Sequence, residues 1–259
     1  MQDPAPDPGA DPGPDPGPDP GLDPTERRKI VRDGLAVAVA TGAYGISFGA
    51  IAVSSGLGVA QACALSLLVF TGASQFAFVG VIAAGGAPLL GAASGLLLGF
   101  RNSLYGLKLA PLLGWTGLRR AAAAHLVIDE STAMSVTRSS NQAARVGFLS
   151  TGIGVFVLWN ASTLIGALAG AAIGDPRRYG LDSAVGGAFL ALLWPRLDKP
   201  ASRLTAVLAA GLALVLVPLT PAGIPVLAAG VVALGLGLRG AGAGAEAGAE
   251  NGPSKGPAS

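Results

Sequence analysis

Gly34 to Ser54 reads GLAVAVATGAYGISFGAIAVS, twenty-one residues without one Asp, Glu, Lys or Arg. A helix needs about 20 such residues to cross the hydrocarbon of a bilayer. The run also lacks the polar face that a helix on the surface of a soluble protein must show to water. Reading outward, the next charge after Asp33 is Arg101, and two further charge-free gaps separate Arg145 from Asp175 and Arg203 from Arg239. Charged residues make up 12% of the chain, about half the share found in soluble domains. The fold class is therefore all-α, a polytopic bundle of transmembrane helices rather than one large soluble core.

Arg27, Arg28, Lys29 and Arg32 precede the opening run, as basic residues precede the apolar part of a signal peptide. The run is too long for that part and more apolar segments follow, so it is read as a retained first span. The others cover approximately 60–84, 88–113, 121–137, 146–173, 182–195, 204–219 and 222–238, eight spans in all. The segment at 121–137 carries charges and that at 182–195 is short for about 30 Å of hydrocarbon. Seven spans, with one of these re-entrant, is the alternative count. With the N-terminus and C-terminus both in the cytoplasm, eleven Lys and Arg residues fall inside and Arg119, Arg120, Arg177 and Arg178 outside, which satisfies the positive-inside rule. The expected location is the cytoplasmic membrane.

Residues 1–26 form an acidic tail. Asp-Pro recurs every four residues from Asp3-Pro4 to Asp23-Pro24, and proline with mutually repelling carboxylates favours an extended, solvated arm. Residues 27–239 are the membrane domain, and 240–259, rich in Gly and Ala, read as a flexible tail. Between 25 and 240 there are sixteen basic against seven acidic residues. They flank apolar runs singly or in pairs, so the excess belongs to membrane-proximal loops and not to a nucleic-acid surface. Cys63 is the only cysteine, which excludes an internal disulfide and a Cys-based metal site.

Thr71-Gly72-Ala73-Ser74 is echoed by Trp159-Asn160-Ala161-Ser162, and each is followed by a segment with an arginine, Arg101 or Arg196. The echo suggests an inverted repeat of three helices, as in secondary transporters. Chance similarity between Ala/Gly-rich helices is the competing reading.

Arg101 stands near the middle of the third segment, where an arginine costs roughly 2.5–3.5 kcal/mol on insertion scales. Tyr105 and Lys108 share its helical stripe, and Lys108 is expected to snorkel. Asp129-Glu130 is the only carboxylate pair within a candidate span. Side chains at adjacent helical positions point about 100° apart, so one carboxylate is expected to pair with Arg101 and the other to meet a substrate amine or exchange a proton. A purely structural ion pair is the alternative. His125, the lone histidine, reads as an interface residue before a proton relay. Gly72-Ala73-Ser74-Gln75 interrupts the second segment. Glycine weakens the helix while Ser74 and Gln75 offer donors and acceptors, as in the broken helices at which transporters bind substrates; close packing with a side-chain hydrogen bond is the bland reading. Small residues four apart, at Gly45/Gly49, Gly91/Gly95/Gly99 and Gly166/Gly170/Gly174, favour close helix crossings. Catalytic serine, zinc-protease and phosphate-loop motifs are absent from the sequence, so neither an enzyme nor a cofactor is expected.

Phe48-Gly49, Thr71-Gly72-Ala73-Ser74-Gln75-Phe76, Arg101 with Leu104-Tyr105-Gly106, Asp129-Glu130, Trp159 with Gly166 and Gly170, and Leu181-Asp182 leading to Phe189 and Pro195 resemble AzlC-type permeases in order and approximate spacing, over about residues 30–239. The resemblance implies export of leucine, isoleucine, valine or similar small amino acids by a two-component pump. It further implies a small AzlD-like membrane subunit as partner and drive by the proton-motive force. The resulting candidate pathway is Gly72, Ser74, Gln75, Arg101, Tyr105, Asp129, Glu130 and Asn160. One departure is that family members often carry Asn or Asp two residues before the arginine, where this chain has Gly99 and Phe100; Asn102 could replace that group but points to another helix face. An importer is the nearest alternative, and a membrane-embedded enzyme or assembly subunit the alternative of another class.

Overall fold

A computed structural model describes residues 21–173, 190, 193–194 and 197–250. Leu181, Asp182, Phe189, Pro195, Arg177, Arg178 and Arg196 fall outside it, as do the Asp-Pro repeats before Gly21, most of the expected 182–195 span and the end of the C-terminal tail. Among the described residues the chain is helical without strands. The helices are α1 (Pro24–Gly42), α2 (Tyr44–Ser54), α3 (Val59–Leu68), α4 (Gly72–Ala83), α5 (Pro88–Leu113), α6 (Gly117–His125), α7 (Asp129–Val136), α8 (Asn141–Ile173), α9 (Pro200–Leu216) and α10 (Ile224–Glu250).

Helix α8 is the mast of the fold. Its 33 residues reach roughly 50 Å at 1.5 Å per residue, and it packs against α1, α2, α3 and α7. The crossing with α2 is close because glycine occupies both sides: a Cβ on Gly49 would run into the Thr163 carbonyl, and one on Gly166 into that of Ile46. The expected small-residue packing is thus realised at Gly45/Gly49 and Gly166/Gly170. Around this seam Phe48, Phe76, Val155 and Trp159 form the main apolar core.

Among the described residues two stretches are long and apolar enough to cross a membrane, the α1–α2 run from Pro24 to Ser54 and α8. Only 39% and 33% of their most apolar windows are buried, so much of this apolar surface is left uncovered by the chain. Elsewhere Leu68, Leu89, Leu96 and Leu107 are also largely exposed, and contiguous apolar surface of this kind fits lipid better than water.

Three expectations need revision. Segment 121–137 is no single helix: it is α6 and α7 separated by Leu126–Ile128, with Ile128 extended (φ −131°, ψ 173°). The interruption expected in segment 60–84 is present, with α3 and α4 separated by Val69–Thr71, just ahead of Gly72. The internal echo does not preserve local structure, since Thr71-Gly72 sits at this break while Trp159-Asn160 lies mid-way along unbroken α8. The last helix also continues to Glu250, past the boundary at 239 where the sequence places a tail. Alanine, the strongest helix former, alternates with glycine there and carries the helix on. Helices α9 and α10 form a hairpin that meets the rest of the bundle through α10 and α5.

Candidate functional site

The two interrupted helices come together. At the first break, Val69 and Thr71 leave the helical region (φ −113°, ψ 59° and φ −147°, ψ 90°), which orphans carbonyls at the end of α3. Gln75, in the first turn of α4, reaches back so that its Nε2 donates to Leu65 O at 3.1 Å as a second donor beside Val69 N. His125, the last residue of α6, donates its Nε2–H to Leu67 O at 2.9 Å. A carbonyl can only accept, which fixes the direction of that bond. At the second break Ser131, in the first turn of α7, does the equivalent work: its Oγ donates to Leu126 O at 2.6 Å and accepts from Ile128 N at 3.1 Å. Each break is thus bridged by a polar side chain just downstream of it, and His125 ties one break to the other.

This arrangement sets the starts of α4 and α7 around a cavity of about 340 Å³. Thr71, Gly72 and Ala73 line it from α4's end, Ile128, Asp129 and Glu130 from α7's, Arg101 and Asn102 from α5, and Thr41 and Tyr44 from the α1–α2 junction. Phe70, Phe76, Val155 and Trp159 supply apolar wall. Trp159 is held by stacking on Phe48 (centroids 6.1 Å apart) and by the edge of Phe76 (6.4 Å). Gly72 admits the indole, since a Cβ there would meet Trp159 Cη2 at 3.2 Å.

Arg101 Nη2 lies 3.0 Å from Asp129 Oδ2, and both side chains are about two-thirds to three-quarters buried. The expected pairing of Arg101 with one of the two carboxylates therefore forms, with Asp129 as the partner. Glu130 is half-buried on the same cavity. Several polar atoms here are buried without a partner: Arg101 Nε, Asn102 Oδ1, Thr71 Oγ1 and Trp159 Nε1. Buried polar groups are normally satisfied, and such a concentration around one cavity marks a place built for a polar guest or for movement. Free N–H groups and the positive dipole ends of two half-helices favour an anionic group at the same place. Among the described residues no three His, Cys, Asp or Glu side chains converge as a metal site would require.

Of the eight candidate residues, Gly72, Arg101, Asp129 and Glu130 line this cavity, and the other four do not. Ser74 is buried under α5, where Gly95 and Gly99 approach it. Gln75 is fully buried and braces the break. Tyr105 packs on the apolar cluster of Leu109, Leu113 and Phe148. It shares Arg101's stripe but sits about 6 Å further along the axis, beyond the cavity. Asn160 donates to Phe156 O of its own helix at 2.7 Å, as polar side chains do when buried on a continuous helix. Asn102, expected on another face, lines the cavity beside Arg101 because the cavity wraps around that part of α5. Thr41 and Tyr44 escaped the sequence reading: nothing in a linear pattern brings residue 41 to residue 101. Thr71 and Trp159 entered it through the internal echo and the family resemblance, without a place in the candidate pathway. His125 is exposed and docked on a neighbouring helix end, in keeping with an interface role.

No curated protein and no solved structure matches the chain. A family model described as "AzlC protein" matches residues 36–173, just over half of the sequence and nearly all of the ground from α1 to α8 that builds the cavity. The chain therefore belongs to the AzlC family, and with its apolar helices this makes it a membrane protein with a transport-related function.

Proposed function

We propose that the chain is the large subunit of a secondary transporter that exports branched-chain or similar small neutral amino acids across the cytoplasmic membrane. The observation that carries this reading is the Arg101–Asp129 ion pair at the junction of two interrupted helices, beside a second carboxylate and an apolar wall. A zwitterion needs a cation for its carboxylate and an anion for its ammonium, and its side chain needs an apolar surface. Arg101 with the starts of α4 and α7 offers the first, Glu130 the second, and Phe76, Val155 and Trp159 the third. A cavity of about 340 Å³ suits a solute of that size.

Asp129 holds Arg101 in place when the site is empty, and the pairing offsets part of the cost of a guanidinium in the bilayer. Glu130 exchanges a proton with the far side and so couples export to the proton-motive force. The membrane domain crosses eight times, with the broken pairs α3/α4 and α6/α7 each counted as one crossing, and both termini are cytoplasmic. A small AzlD-like membrane protein completes the pump.

Feeding valine- or leucine-containing dipeptides to cells with and without this gene and its neighbour tests the reading. Intracellular amino acid should accumulate several-fold more when the transporter is missing. Equal accumulation for every branched-chain residue removes the substrate assignment, and lower accumulation in its absence reverses the direction to uptake.

A further inference from the structure

The cavity that holds Arg101 is not isolated. A second one, of about 660 Å³, is lined mainly by apolar side chains, the exposed Leu68 and Leu96 among them, with Ser74, Ser103 and His125 as polar members, and it shares Phe70, Thr71 and Asn102 with the first. Three residues thus form the partition between two chambers. Two of them come from the α3/α4 break, where no continuous helix holds the backbone. A larger cavity beside the α9–α10 hairpin meets the Arg101 chamber only at Leu98 and Leu193 and is lined mainly by alanine and other apolar side chains. Of the two boundaries, the one with the second chamber carries polar side chains, Thr71 and Asn102, so a zwitterion crossing there recovers part of the hydration it loses.

We propose that the Phe70-Thr71-Asn102 partition is the gate of the transport route, opened when the unwound turn at residues 69–71 swings the Phe70 ring aside. This rests on the transport reading above. Phe70 is 5% exposed, sits at the edge of the main apolar core, and meets Phe156 edge-on at 5.0 Å and His125 tilted at 6.1 Å. The two polar members of the partition are poorly served in the closed arrangement: Thr71 Oγ1 and Asn102 Oδ1 are buried without partners. They carry the desolvation cost of unmade hydrogen bonds, which water or substrate entering an open gate would relieve. The braces on Leu65 O and Leu67 O anchor the end of α3, so movement is confined to the three residues between α3 and α4. Substrate occupying one chamber can then shift the population of open gates, provided it binds the open form better.

Thiol labelling tests the gate without reference to any substrate. In a Cys63→Ala background, Ala73→Cys places a thiol in the Arg101 chamber and Ser103→Cys one in the second chamber. Both are exposed to a membrane-impermeant thiol reagent in vesicles of each orientation. From the side that labels Ser103→Cys, Ala73→Cys should react slowly while Phe70 is present. Phe70→Ala should raise its rate by about tenfold, and Phe70→Trp should leave it slow. If Phe70→Ala does not yield monodisperse protein, Phe70→Leu is expected to give a smaller rise in the same direction. An unchanged rate in the truncated variant overturns the gate. So does equal labelling of both thiols from one side with Phe70 in place, or a Ser103→Cys thiol that reacts from neither side. A failed dipeptide assay with the labelling pattern intact removes the amino-acid assignment and leaves the gate standing.

Discussion

Helix α8 and the α3/α4 pair are both long apolar stretches that pack on the same core, yet one is a continuous rod and the other breaks in the middle. In α8 the small residues Gly166 and Gly170 sit on a face where α2 presses backbone to backbone, so glycine there creates contact and the helix survives its weak propensity. Around Gly72 the glycine lies next to Thr71, with a bulky indole above it, while His125 satisfies the Leu67 carbonyl that the break releases and Gln75 braces Leu65 O beside it. Glycine alone decides neither outcome. What decides is whether neighbouring groups can satisfy the freed backbone, which in hydrocarbon has no water to turn to. The rod then positions, and the broken pair exposes backbone and charge to a guest.

That contrast can be broken most severely on the rod. Gly166→Leu or Gly49→Leu forces a side chain into a carbonyl with nowhere to go and should cost about 3 kcal/mol or more. We expect loss of monodisperse protein on gel filtration in detergent, whereas a comparable insertion at Gly237, which has open space around it, should be tolerated. At the site, Asp129→Asn leaves Arg101 without its counter-charge and should abolish export while lowering stability by about 1–3 kcal/mol. Glu130→Gln should abolish export as well. Export at wild-type rates by both amide variants, with expression confirmed, would remove the carboxylates from the pathway.

Smaller effects sharpen the account of the breaks. Ser131→Ala deprives both Leu126 O and Ile128 N of a partner and should cost about 1–2 kcal/mol, read as a lower melting temperature; Ser131→Thr should recover most of it. His125→Ala removes one exposed hydrogen bond and should cost less than about 1 kcal/mol. A loss at His125 as large as that at Ser131 would mean that the tie between the two breaks matters more than the bridging of each.

The charge-free runs made the helical, lipid-facing class legible at once, and the cost of Arg101 in such a run pointed to a carboxylate partner, which the structure supplies at Asp129. Gly72 drew attention to the first break. The second was hidden, since Leu126, Val127 and Ile128 look like the middle of an apolar helix and only Ile128's extended backbone ends it. Ser74, Gln75, Tyr105 and Asn160 were chosen for polarity within apolar segments, and none lines the Arg101 cavity: Gln75 braces the first break, Asn160 donates within its own helix, Tyr105 packs on an apolar cluster and Ser74 lines the second cavity. Polarity along a chain identifies groups that must find partners, without saying whether the partner is a guest or a neighbour.

By itself, then, the order of residues determined which stretches avoid water and which charges are too costly to leave unpaired, because those are properties of single side chains and their nearest neighbours. Only the tertiary structure decided where helices stop, which of two adjacent acids meets the guanidinium, and that residues 41, 71, 102 and 159 share one cavity. Those outcomes depend on distances between segments far apart in the chain, and helix breaks are settled by whether a partner for each released backbone group arrives from elsewhere.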